Sequence, residues 1–295
     1  MKRVVLLGTI CLGLIPKLQA QILPDAFSSF PAPTTSLEYD ALSKLRTLPS
    51  YRNLRKQYSG EGLQRAQKDL SLLGVSEDQL SEIVTAAGSN GFFGLLAGNF
   101  RSDAMAREAA KHGVTQLSLE DSNLAFCAKD GICFFPVPHE EGHAFFGTIE
   151  QLRAISEVRQ GHAPSLEANA TFVDLKNRTD QQSPVIGFAP GREISDWIGT
   201  SIPQSISSRL DLTRLFSGIE TFAYTVKLDS KAHVALSLIC TSEQAGTLLR
   251  DTLSAASGLE RAAAMAAGPA ALPFDNMAVR SSGRLVDVSL DAPVQ

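Results

Sequence analysis

Long apolar runs are scarce in this 295-residue chain. Beyond the first twenty residues, none reaches the roughly 18 residues that a membrane-spanning helix needs. Excess positive charge is missing too. Lys and Arg number 27 against 31 Asp and Glu, and no dense basic cluster occurs. Nothing electrostatic therefore draws the chain to nucleic acid or anionic lipid. No Gly-x-Ser-x-Gly elbow marks a hydrolase nucleophile, and no glycine loop is arranged to cradle phosphate. Tryptophan occurs once, as Trp197, and reads as a core anchor before it reads as a ligand platform.

What is present begins with an export signal. Lys2 and Arg3 form a positive n-region, Val4 to Ile15 an apolar core too short to span a bilayer, and Pro16 breaks it. Leu18-Gln19-Ala20 then offers a cut ahead of Gln21. Loss of Lys2, Arg3 and Lys17 leaves 24 basic residues against 31 acidic, a mature net charge of −7. The expected location is secreted or periplasmic, with no membrane span in the mature chain.

Cys11 leaves with the signal, and three cysteines remain. Phe126-Cys127-Ala128-Lys129-Asp130-Gly131-Ile132-Cys133-Phe134 reads as a hairpin closed by Lys-Asp-Gly, with Gly131 left-handed. That register sets Cys127 opposite Cys133, within reach of a disulfide in an oxidising compartment. Two small apolar residues sharing a face is the competing reading. Cys240 reads as a buried strand residue.

The remaining pattern is α+β. Residues 21–35 are rich in Pro, Ser and Thr and read as a loose leader. Leu37, Ala41, Leu42, Leu45 and Leu48 share a helical face, and Leu63, Ala66, Leu70 and Leu73 mark a second helix stopped by Gly74. Two apolar runs flank Ser89-Asn90-Gly91, a hairpin signal. A helix from Ser102 to His112 precedes strands at Val114–Leu119, Leu124–Ala128, Ile132–Phe135 and His143–Gly147. Thr148-Ile149-Glu150-Gln151 is a capping box that opens another helix. The second half follows the same plan: a helix near Leu166–Leu175, a strand at Val185–Ala189, and a hairpin from Glu220–Leu228 into Ala232–Cys240. A box at Thr241-Ser242-Glu243-Gln244 opens a helix to Gly258, and a hairpin turns at Ser281-Ser282-Gly283. Two similar helix-hairpin-helix-hairpin repeats satisfy this, as antiparallel sheets with helices packed on one face. The expected divisions are a signal peptide (1–20), the leader (21–35), a first repeat (36–160), a connecting segment (161–183) and a second repeat (184–295).

Phe146-Gly147-Thr148-Ile149-Glu150-Gln151-Leu152-Arg153 resembles a recurring element of uncharacterised secreted bacterial proteins with tandem α+β repeats. Val185-Ile186-Gly187-Phe188-Ala189 is similar to the strand that opens their second repeat. The resemblance implies export and a two-repeat fold over most of the mature chain. It transfers no activity.

One segment carries chemistry. His139-Glu140-Glu141-Gly142-His143 matches H-E-x-x-H, which on a helix holds Zn²⁺ through two imidazoles, with the glutamate as general base. The context speaks for a loop. Gly142 lies inside the motif and Gly147 just beyond it, each costing a helix about 1 kcal/mol, and the capping box starts the helix after the motif. His162 or Glu167 would have to supply the third ligand, without a local pattern to support either.

His112 near a helix end reads as structural, and His233 as solvated. Gly91, Gly94 and Gly98 read as close-packing positions in a strand pair. Asn169-Ala170-Thr171 and Asn177-Arg178-Thr179 fit the glycosylation sequon. The expectation is a non-catalytic binding or interaction module of the cell envelope or exterior, with an unspecified protein or small-molecule partner. It has no cofactor and no assigned catalytic, cofactor-binding or metal residue. The alternative is a zinc-dependent hydrolase on His139, His143 and Glu140.

Overall fold

Alternating and continuously apolar segments form twelve strands among the described residues. The computed structural model describes residues 22–49, 51, 61–89, 91–120, 123–129, 131–194, 216–229, 231–267 and 275–293. The expected signal peptide, its cleavage point and Trp197 lie outside the described residues. The strands are β1 (Ser36–Asp40), β2 (Leu80–Gly88), β3 (Gly91–Gly98), β4 (Thr115–Glu120), β5 (Asn123–Cys127), β6 (Cys133–Pro136), β7 (His143–Gly147), β8 (Val185–Pro190), β9 (Ile219–Leu228), β10 (Lys231–Cys240), β11 (Asp275–Ser282) and β12 (Leu285–Pro293). They form one antiparallel sheet in the order β11-β12-β10-β9-β8-β1-β2-β3-β7-β6-β5-β4.

The expected α+β class therefore holds, with a single sheet in place of several. The seam is the β1–β8 pair, where Leu37 meets Phe188, Glu38 meets Gly187 and Tyr39 meets Ile186. Two separate sheets would have left β1 and β8 as edges with unpaired backbone groups. Pairing them removes both edges.

Among the described residues, seven α-helices with defined bounds pack on the sheet: α1 (Leu23–Ser29), α2 (Leu42–Leu45), α3 (Glu61–Leu72), α4 (Ser102–Lys111), α5 (Ile149–Arg159), α6 (Ala170–Arg178) and α7 (Glu243–Ala267), and residues 191–194 after β8 are also helical. They lie on both faces, not the expected one. The cause is visible in the strands, since β3 is buried from Phe93 through Ala97 and β6 along its whole length. Strands apolar on both sides need cover on both sides.

On one face, α1, α5, α6 and a 3₁₀ turn at Leu166–Ala168 form a central core with Tyr39, Val84, Phe145 and Phe188. Phe27 meets Phe188 edge-on at 5.6 Å between centroids, and Phe30 meets Phe93 at 5.0 Å. On the other face the core divides. Leu42, Leu70, Met105 and Ala109 pack on Ile83, Phe134 and Phe146 towards one end. Leu249 packs with Phe222, Leu238 and Val286 towards the other.

Two local expectations change. The stretch 21–35 is not a loose leader within its described part, because Ile22, Leu23, Phe27 and Phe30 are completely buried. Its four large apolar side chains outweigh its Pro/Ser/Thr composition. Residues 37–48 do not make one helix either. Leu37, Tyr39 and Ala41 are buried in alternation, and only Leu42–Leu45 are helical.

Elsewhere local signals are realised. Gly74 takes φ +70° after α3, and Thr148 Oγ1 accepts from the Gln151 amide at the start of α5. Cys127 and Cys133 are cross-strand partners with their sulfurs bonded. Helix α7 runs past Gly258, where an added Cβ would meet open space, so nothing in the packing requires a stop there.

Candidate functional site

On the divided face, the two described core clusters lie to either side of the β1–β8 seam. One cross-strand row runs there from Thr85 on β2 through Glu38 and Gly187 to Tyr224 on β9. The next row holds Phe92, Ala87, Ser36, Ala189 and Phe222. These side chains are small at the seam and aromatic at its flanks. A cleft of about 240 Å³ results, lined by Glu38, Thr85 and Tyr224 of the first row, by the second row and by Glu193.

Glu38 is the chemically distinctive group in this cleft. Tyr224 Oη donates to its Oε2. Burial raises the Glu38 pKa above the ordinary carboxylate value, and the Tyr224 hydrogen bond opposes that rise. Among the described residues no cationic side chain acts on it. The Tyr224 phenol is held well above its usual value, by burial first and then by the negative charge of Glu38. Gly187 makes the pair possible: its missing side chain leaves the space that the Tyr224 ring occupies.

A second carboxylate, this one buried, lies on the opposite face. Glu82 accepts from the Ile22 amide at 3.0 Å and from Tyr39 Oη at 3.2 Å, anchoring α1 to β1 and β2. His143 lies nearby on β7 and acts on the Glu82 charge. Its Nδ1 is buried without a hydrogen-bond partner. Helix α1 closes this group off from solvent, so its evident task is structural.

The H-E-x-x-H segment joins β6 to β7 as a loop. His139 is exposed with φ +66°, the only non-glycine residue with positive φ among those described. Glu140 pairs with Arg159 at 3.4 Å. Gly142 presses backbone-to-backbone on Gly98, whose amide donates to the Gly142 carbonyl at 2.8 Å. The helix that would align the two imidazoles is absent from this segment. Among the described residues, no three His, Cys, Asp or Glu side chains gather as metal ligands.

Other singled-out residues have structural partners. His233 lies 2.7 Å from Asp291 and 3.2 Å from Asp229, and the Asp291 hydrogen bond leads in raising its pKa. His112 approaches Glu108 at 3.9 Å. Asn169 caps α6 by accepting from the Phe172 amide. Gly94 faces the Val84 carbonyl and the Phe146 ring too closely for any side chain.

Neither Glu38 nor the cleft emerged from the sequence. Assigning 37–48 to a helix hid the alternation Ser36-Leu37-Glu38-Tyr39-Asp40, which sets Glu38 opposite the core side.

No protein-family model matches the chain, and no curated protein matches it in sequence. Solved structures do. The fold is similar to that of TP0453. Its crystal form I superposes with a TM-score of 0.56 at 10% identity, covering 92% of each chain. Crystal form III gives 0.53 at 11% identity, covering 91% of this chain and 94% of that one. Form IV gives 0.52 at 11%, covering 91% and 93%. At such identity the likeness to TP0453 is one of fold alone.

Proposed function

We propose that the chain is an exported, non-catalytic binding module of the cell envelope or exterior, with its ligand seat in the cleft over the β1–β8 seam. The cleft itself carries this reading: an open concavity with a floor of small residues, aromatic flanks and a few polar groups, Glu38 and Glu193 among them, is the usual composition of a small-ligand site. The bonded Cys127 and Cys133 suit an oxidising compartment. No described helix is long and apolar enough to cross a membrane.

The reading includes a two-repeat origin, with the ligand seat at the junction. Its support is the strand order. Outward from the seam, one side runs β1-β2-β3-β7-β6 and the other β8-β9-β10-β12-β11, with a helix after the third strand of each set. The β4–β5 hairpin is then an addition to the first repeat. The hydrolase alternative draws no support from a pentapeptide that turns between two strands.

The test is a fragment screen by NMR on the mature protein, compared with an Ala87→Trp variant whose indole fills the cleft. Compounds that shift resonances of the seam in the native protein should fail to do so in the variant. Fragments that bind both proteins alike, or a screen that never perturbs the seam, would refute the assignment.

A further inference from the structure

Resting on that binding-module reading, we propose that the cleft takes a small organic amine, with its ammonium on Glu38 and its apolar body against Phe92, Phe222 and Tyr224.

Charge argues first. A carboxylate taken out of water without a cation is costly unless something pairs with it. Glu38 has one partner, the Tyr224 hydroxyl on Oε2, and takes no other hydrogen bond from the described residues. Glu193 lines the same cleft, and the charges of Asp40 and Glu193 both act on Tyr224. An anionic ligand would meet a carboxylate that no described cationic side chain offsets. A neutral ligand would leave the Glu38 charge as it was. A monocation offsets it.

Shape narrows the cation. A divalent metal would need several carboxylate or imidazole ligands at one point, and the described residues form no such group. The floor is instead made of Ser36, Ala87 and Ala189, and the flanks are rings, with Phe222 and Tyr224 stacked at 6.1 Å between centroids. Aromatic faces attract organic ammonium groups and cover their hydrocarbon parts. The cleft volume of about 240 Å³ falls just under the range of roughly 300–1,000 Å³ typical of drug-sized ligands. The ligand is therefore a small monoamine and not a peptide.

Three matched probes separate the possibilities on the mature protein by NMR titration: 2-phenylethylamine, 2-phenylethanol and phenylacetate. The amine should saturate shifts at the seam, the alcohol should bind at least about tenfold more weakly, and phenylacetate should not bind. Glu38→Gln should weaken the amine by about tenfold or more. If the alcohol matches the amine, or Glu38→Gln leaves amine affinity unchanged, the amine assignment falls while a ligand-binding cleft stands. If no probe shifts the seam, the amine assignment falls as well. The Ala87→Trp comparison then decides the binding-module reading by itself. The comparison of amine with alcohol needs only the native protein, so a misfolded Glu38→Gln variant does not block the test.

Discussion

A Cβ added at Gly187 would overlap Cε1 and Cζ of the Tyr224 ring and lie 2.6 Å from its hydroxyl oxygen. Ordinary carbon contacts need about 3.5–4.0 Å, so the ring must move by more than an ångström. Two costs follow in a Gly187→Ala variant. Overpacking a tight site costs about 1–3 kcal/mol. Pulling Tyr224 Oη away from Glu38 forfeits a hydrogen bond to a charged group, about 1.5–3 kcal/mol. Together they place the destabilisation at about 3–5 kcal/mol, large for one methyl group. The decisive comparison is the same substitution in a Tyr224→Ala background, where the space is already vacant. There Gly187→Ala should cost about 1 kcal/mol or less, giving a coupling of about 2–4 kcal/mol between the two sites. Urea unfolding followed by far-ultraviolet circular dichroism reads all four corners of the cycle. Additive costs would refute the claim that Gly187 exists to seat the Tyr224 ring on the seam.

Glu82 sets a pH dependence. Burial, against the hydrogen bonds from Ile22 and Tyr39, raises its pKa above the model-peptide value of 4.5. A carboxyl group raised in the folded state contributes stability that is full below that value and lost as pH climbs through the folded one. Thermal melts of Glu82→Gln should therefore fall less than the native protein's as pH rises above 4.5, and parallel slopes would contradict the burial argument. At α5, Thr148→Ala removes the Oγ1 that accepts from the Gln151 amide and should cost about 1 kcal/mol in urea unfolding. An unchanged midpoint there would mean that the box contributes no net stability.

Periodicity found an element wherever its pattern was unambiguous, and it failed where two periods coincide. Leu37, Ala41 and Leu45 recur at the helical spacing of four, yet Leu37, Tyr39 and Ala41 also alternate. Neighbours decided between them: β2 and β8 bond to the two sides of Ser36–Asp40 from more than 40 and more than 140 residues away. No local window contains that information. The same distance hid the site. Glu38 and Tyr224 are separated by 186 residues, and they meet only because Gly187 stands between them with no side chain. Conversely, the segment that looked most chemical was decided locally. Gly142 weighs against a helix in sequence, and in the structure it is where the loop docks on the Gly98 backbone. Motifs that depend on one element are thus legible before folding, whereas a carboxylate buried at a seam becomes visible only once strand pairing is known. In this fold the seam joins the two strand sets, so the least legible pairing is also the one that creates the cleft.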